Sequence, residues 1–137
     1  MSVTLPLTFY QQEVNRIKAN FFSKEYLYAH AKAAKKYIDE NYGSKIDLDA
    51  IAAKAFCSKF HFIRLFSNLY GQTPYQYLTA VRIKKAKQFL LSGNSVAQTS
   101  LLVGFESATS FTGSFKKYTG YAPAAFVKYH SRKLATA

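Results

Sequence analysis

Acidic residues are scarce in this chain. Of 137 residues, 19 are Lys or Arg and seven are Asp or Glu, a formal net charge of +12. Six of those seven acids, Glu13, Glu25, Asp39, Glu40, Asp47 and Asp49, come before residue 50. Beyond it Glu106 stands alone against Lys54, Lys59, Arg64, Arg82, Lys84, Lys85, Lys87, Lys116, Lys117, Lys128, Arg132 and Lys133. Such a skew calls for a polyanionic partner. An anionic membrane would favour one long helix with a broad lysine face, and these cations are spread over several short segments.

Other absences exclude whole classes of function. With Cys57 as the one cysteine, an internal disulfide and a Cys-rich metal site are both ruled out, and Cys57 reads as a small buried residue in a turn. Three histidines, a single acid after residue 50 and no Gly-rich phosphate loop leave no catalytic constellation. No enzyme activity, cofactor or metal is therefore expected; His30 lacks a metal-ligand partner at helical spacing and reads as a surface or core-edge residue. No apolar run approaches the roughly 20 residues of a membrane span. The opening MSVTLPLTFYQQEVNRIK lacks the basic-then-apolar order of a secretion signal, so a cytoplasmic, nucleoid-associated protein is expected. Hydrophobic content of 49% with 19% charged residues is globular, and the length suits one domain or two small subdomains.

What is present is an all-α pattern organised around residues 47–71. This stretch reads as two short helices joined by a turn, the second opening at Ser58 and stopped by Gly71. Phe62, Leu65, Phe66 and Leu69 recur at i, i+3, i+4 and i+7 and share its inner face. The outer positions, Lys59, Phe60, His61, Arg64, Ser67 and Asn68, offer cations, hydrogen-bonding groups and a ring, the groups that read a base edge or grip a phosphate. That is a helix-turn-helix pattern. Arg64 is the one cation in the middle of this outward face. Phe60 suits either a thymine methyl or the turn beneath it, and His61 either backbone contact or solvent.

Before it, residues 1–22 form an N-terminal extension, loose to residue 8. Tyr10, Val14, Ile17 and Phe21 then make one stripe of a helix, suited equally to packing on its own domain or to self-association. Residues 23–72 form a first helix-turn-helix subdomain. Its lead helix, capped by Ser23, carries Leu27, Ala31, Ala34 and Ile38 on one side and is stopped by Gly43.

Residues 73–93 form a long linking helix. Thr73 as N-cap, Pro74 as first helical residue and Gln76 as capping-box partner start it, and Ser92-Gly93 end it. Leu78, Arg82, Ala86, Phe89 and Leu90 mark one face, Tyr77 and Val81 another, which suits a rod between two packed units. Arg82 reads as a structural cation with a carboxylate or carbonyl partner; Lys84, Lys85 and Lys87 read as a solvated face.

Residues 94–130 repeat the first pattern. Asn94 or Ser95 caps a short helix, Gly104 turns, Ser107 caps ATSFTGSFKKY, and Gly120 closes it. Aligned, SKFHFIRLFSNLYG and SATSFTGSFKKYTG share Ser at the first place, Phe at the fifth and ninth, and Gly at the last. Phe111, Phe115 and Tyr118 form the inner face. Thr109, Thr112, Gly113, Lys116 and Lys117 lie outside, the two lysines suited to phosphates. Pro123 starts a last short helix, and residues 131–137 read as a frayed basic tail.

From about Tyr26 to Tyr129 the chain resembles the DNA-binding domain of the AraC/XylS family of bacterial transcription regulators. The resemblance is carried by Leu48, Ala52, Ser58, Phe62, Leu65 and Phe66, by GQTPYQYLTAVRIKKAKQFL, by VGF at 103–105, by SFTGSFKKYTG at 110–120 and by Pro123. It implies an all-α domain of about seven helices: two helix-turn-helix subdomains joined by the central linking helix. Both recognition helices would enter successive major-groove segments about one turn, roughly 34 Å, apart. It implies double-stranded DNA and RNA polymerase as partners and transcription activation as the outcome. Its base- and phosphate-reading places fall on Phe60, Ile63, Arg64 and Ser67, then on Ala108, Thr109, Thr112 and Gly113. Gly113 stands where many members carry a long polar side chain, and Ala108 offers only a methyl, so the second reader is expected to act mainly on backbone. Phe56 in the first turn and Ala122 before Pro123 are further departures.

Two other readings stay open. The chain is either a small regulator acting alone or the C-terminal piece of a longer, effector-sensing one. In a different class, it would be a basic protein-interaction module using the stripe from Tyr10.

Overall fold

A computed structural model describes residues 9–14, 24–54 and 57–136. After a helical stretch at 9–14 come seven helices: α1 Lys24–Asn41, α2 Leu48–Lys54, α3 Lys59–Tyr70, α4 Pro74–Leu91, α5 Val96–Leu102, α6 Ala108–Thr119 and α7 Pro123–Thr136. The described residues contain no strand. Ile17, Phe21, Ser23 and Phe56 lie outside the described residues, as do the side chains of Arg132 and Lys133. The described part of the N-terminal stripe is open to solvent: Tyr10 is exposed and Val14 half-buried.

Two hydrophobic cores form, one per repeat. The first gathers Ala31, Ala34 and Ile38 of α1, Leu48 and Ala52 of α2, Phe62 and Phe66 of α3, and Leu78 of α4. The second gathers Ile83, Ala86 and Leu90 of α4, Val103, Phe111 and Phe115, and Phe126 of α7. Each fully buried Phe contributes about 1.5–3 kcal/mol relative to exposure. In the second core the rings run in sequence from Phe105 through Phe111 and Phe115 to Phe126, with centroids 5.2–5.6 Å apart.

α4 is therefore shared between the two cores, which take different stretches and different sides of it. Leu78 and Tyr77 near its start serve the first core, and Ile83, Ala86, Phe89 and Leu90 serve the second. Tyr77 and Ala86, nine residues apart and so on opposite sides of the helix, serve different cores, as the two apolar faces require. Leu78 is the correction: expected on one face with Ala86 and Leu90, it packs with Tyr77 in the first core. The capping box holds: Thr73 Oγ1 accepts the Gln76 N–H at 3.1 Å and Gln76 Oε1 accepts the Thr73 N–H at 2.9 Å. At the other end Asn94 Nδ2 donates to the Phe89 carbonyl at 3.0 Å, so Asn94 closes α4 while Ser95 caps α5.

The two units meet at a seam in the middle of α4. The half-buried Arg82 donates from Nε to the Tyr42 carbonyl at 2.7 Å and from Nη2 to the Ser44 carbonyl at 3.0 Å. Its guanidinium also lies 5.7 Å above the Phe105 ring of the second turn. Burial pulls its pKa below the usual arginine value without threatening its charge. The partners are carbonyls, one of the two alternatives open from sequence. Backbones come close here too. A Cβ on Gly43 would sit 2.7 Å from the Leu102 carbonyl oxygen, and one on Gly104, whose φ is +88°, would sit 2.8 Å from that of Tyr42.

Gly43 is consequently no left-handed helix stop. α1 ends at Asn41, whose Nδ2 donates to the Tyr37 carbonyl at 2.9 Å. Glycine is needed at 43 for room, a demand made by a residue far away in the chain. The C-terminal tail is a second correction: α7 runs from Pro123 to Thr136 instead of ending near residue 130. SRKLAT holds no Gly or Pro to interrupt a helix already under way.

His30 packs its ring 4.4 Å from that of Tyr26 at the edge of α1, and Cys57 is half-buried with its thiol pKa raised by burial. Both fit the structural roles expected of them.

Candidate nucleic-acid interface

α3 and α6 are built to one plan, each of 12 residues. Ser58 Oγ accepts the His61 N–H at 3.1 Å, and Ser107 Oγ accepts the Ser110 N–H at 3.0 Å. At the far ends Gly71 and Gly120 adopt φ of 74° and 83° and return their N–H groups to Ser67 and Lys116. Phe62 and Phe66 in one helix, and Phe111 and Phe115 in the other, have no exposed surface at all. Burying those rings leaves the opposite faces to solvent.

On α3 that open face presents Phe60, His61, Arg64 and Asn68, with Phe60 75% exposed. Lys59, Ile63 and Ser67 are half-buried at its margins. The Ser67 hydroxyl donates to the Ile63 carbonyl at 2.7 Å. Its proton is thus occupied, and what remains are lone pairs, which suit a base amino group better than a phosphate. On α6 the face presents Ala108, Thr109, Gly113, Lys116 and Lys117, with Thr112 half-buried. A Cβ on Gly113 would meet no atom within 4 Å. Among the described residues Arg64, Lys116 and Lys117 make no ion pair, so their charges are available to a ligand.

Tyr118 departs from expectation. It is 44% exposed, and its hydroxyl approaches the Gln76 carbonyl at 3.5 Å, at the start of α4. Its counterpart in the other copy is Leu69, packed against the first core. At i+7 from Phe111 it sits on the rim of the apolar arc, where a long polar tip turns outward.

The two helices flank the start of α4. Lys59 of α3 lines a cleft with Lys45 and Tyr75, while Ser110 and Ser114 of α6 line an adjoining cleft with the same two residues. In the shared 14-residue frame Lys59 and the Ser110–Ser114 pair lie on opposite flanks. The two clefts meet at Lys45 and Tyr75 and together run from the start of α3 to α6. Tyr75 and Lys45 escaped the reading of the sequence as interface residues. The available signal was a stripe of Tyr75, Thr79 and Arg82 at i, i+4 and i+7, in which only Arg82 stood out.

Comparison with known proteins agrees with this geometry. A family model described as a helix-turn-helix domain matches residues 51–129. The bifunctional transcriptional activator/DNA repair enzyme AdaA of Bacillus subtilis is 35% identical over 92 residues, 66% of this chain and 44% of its own length. The transposon Tn10 TetD protein of Escherichia coli is 31% identical over 108 residues, 78% of each chain. The DNA-binding domain of AdpA, a global transcriptional factor solved with a target DNA, superposes with a TM-score of 0.72 at 26% identity. That match covers 78% of this chain and 97% of that one. The chain belongs to the AraC/XylS family of helix-turn-helix, DNA-binding transcription regulators. Within this AraC/XylS domain the chain spans less than half the length of AdaA, and among the described residues no helix is long and apolar enough to cross a membrane.

Proposed function

We propose that this AraC/XylS protein binds double-stranded DNA sequence-specifically, setting α3 and α6 into successive major-groove segments, and that it activates transcription. The observation carrying this reading is the pair of helices matched in length, cap, stop and buried rings, each with an open outer face, in a domain that superposes on one solved with its target DNA. Arg64 is the main base reader, with Phe60, Ile63 and Ser67 completing the surface and Lys59, His61 and Asn68 at its edges. α6 acts mainly through Thr109, Thr112, Lys116 and Lys117 on sugar and phosphate, because Ala108 and Gly113 have nothing with which to distinguish bases. RNA polymerase is the protein partner proposed for activation, and the stripe Tyr10, Val14, Ile17 and Phe21 is proposed for self-association. Repair chemistry belongs to AdaA's name and is not carried over.

Selection from random duplexes with the purified chain tests the reading. The expected product is a motif with strong base preference in one segment and weak preference about one turn away. No enrichment, or enrichment without any base preference, would overturn it.

A second reading concerns extent. The chain spans 44% of AdaA and 30% of the MmsAB operon regulatory protein of Pseudomonas aeruginosa, which favours a role as the DNA-binding part of a longer regulator. It spans 78% of TetD, a relative of similar length.

A further inference from the structure

Beside α6, with α4 as floor, lies a cleft of about 800 Å³, adjoining a second cleft that reaches Lys59 at the start of α3. Its walls hold Lys45 before α2, Tyr75 and Thr79 of α4, and Ser110 and Ser114 of α6, with Arg82 beneath and Glu106 also in the lining. The hydroxyls of Tyr75, Thr79, Ser110 and Ser114 have no protein hydrogen-bond partner among the described residues. Arg82 is bonded only to carbonyls, so its positive charge is not cancelled by a carboxylate. Lys45 and Tyr75 line both clefts, so the one beside α6 continues into the one that reaches α3.

Resting on the DNA-binding reading above, we propose that this cleft is a third DNA contact, holding the sugar-phosphate backbone between the two major-groove segments. The chemistry fits a phosphodiester strand. Unspent hydroxyls can donate to phosphate oxygens, Lys45 supplies a mobile cation at the rim, and Arg82 supplies a fixed one from below. No side chain in the cleft is shaped to tell one base from another. Glu106 is the one opposing charge, and it repels whatever phosphate lies nearest.

The test combines two variants with two duplexes of mixed sequence, titrated by fluorescence anisotropy over a range of KCl. One duplex has about 24 base pairs, enough for both recognition helices, and the other about 10, one turn and enough for one. In the triple variant Lys45→Gln, Tyr75→Phe, Ser114→Ala the longer duplex should bind about tenfold more weakly, with the salt slope reduced by about one. The short duplex should be affected by twofold or less. Glu106→Gln, a single exposed change, should tighten the longer duplex severalfold and leave the short one alone. Equal losses on both duplexes would make Lys45 a general surface charge and overturn the proposal. So would unchanged affinity in the triple variant together with no gain from Glu106→Gln. Failure of the unaltered protein to bind either duplex would instead remove the DNA-binding reading itself.

Discussion

Arg64 and Gly113 occupy the same place in two helices of the same length, cap and stop. Beneath them the copies agree closely: Ser58 with Ser107, Phe62 with Phe111, Phe66 with Phe115, Gly71 with Gly120. On the outer face the agreement ends, with Phe60 against Thr109, Ser67 against Lys116 and Asn68 against Lys117. The shared positions are those where the fold leaves no choice, because a ring must fill a core or a chain must turn left-handed. The differing side chains belong to neither core. One unit can therefore become a reader of bases and the other a holder of backbone without disturbing either core.

The largest effects should come from the shared positions. Phe66→Ala and Phe115→Ala should each destabilise by about 3–5 kcal/mol, measured by urea unfolding. Phe66 should cost the more, because three rings, Phe62, Tyr70 and Tyr77, pack on it directly, against two, Phe111 and Phe126, on Phe115. Equal or reversed costs would mean that the additional ring contact on Phe66 adds nothing. Next comes Arg64→Ala, expected to weaken specific binding by about 1–3 kcal/mol and to relax base preference at one position. Equal losses on selected and random duplexes would remove its reading role. Lys116→Ala with Lys117→Ala should weaken all sequences alike and lower the salt slope by up to about two. An unchanged slope would show that these lysines do not meet phosphate. The smallest effect has the opposite sign. Gly113→Ala should stabilise by about 0.5–1 kcal/mol, seen as a higher Tm, since the added methyl meets open space and helix interiors favour Ala over Gly. A loss of stability there would mean that Gly113 is required by the fold, and the contrast with Arg64 would lose its meaning.

Much of the scaffold was legible in the sequence because local signals carried it. Ser58, Ser107 and the Thr73–Gln76 pair announce helix starts through hydrogen bonds made within three residues. The spacing of Phe62 and Phe66, or of Phe111 and Phe115, announces the buried face. What escaped depends on parts of the chain that are far apart. Gly43 resembles a helix stop until Leu102 is seen above it, and Tyr118 resembles a core residue until the start of α4 is seen beside it. The division of α4 between two cores follows from where its neighbours sit. For the interface, the outer faces of α3 and α6 could be read from periodicity, but the cleft beside α6 could not, because Lys45, Tyr75 and Ser114 come from three separate segments.

The seam around Arg82 has a consequence for the operator. One guanidinium ties the loop after α1 to the turn before α6, and the close backbones at Gly43 and Gly104 leave no slack beside it. A pair of calipers locked at one setting cannot follow its object. One base pair added between the two contacted segments would swing the second about 35° around the duplex axis, since about 10–10.5 base pairs make a turn. The DNA, as the softer partner, would have to twist to compensate. Operators for this protein should therefore be stricter in spacing than in the bases of the second segment, a grammar of distance more than of letters.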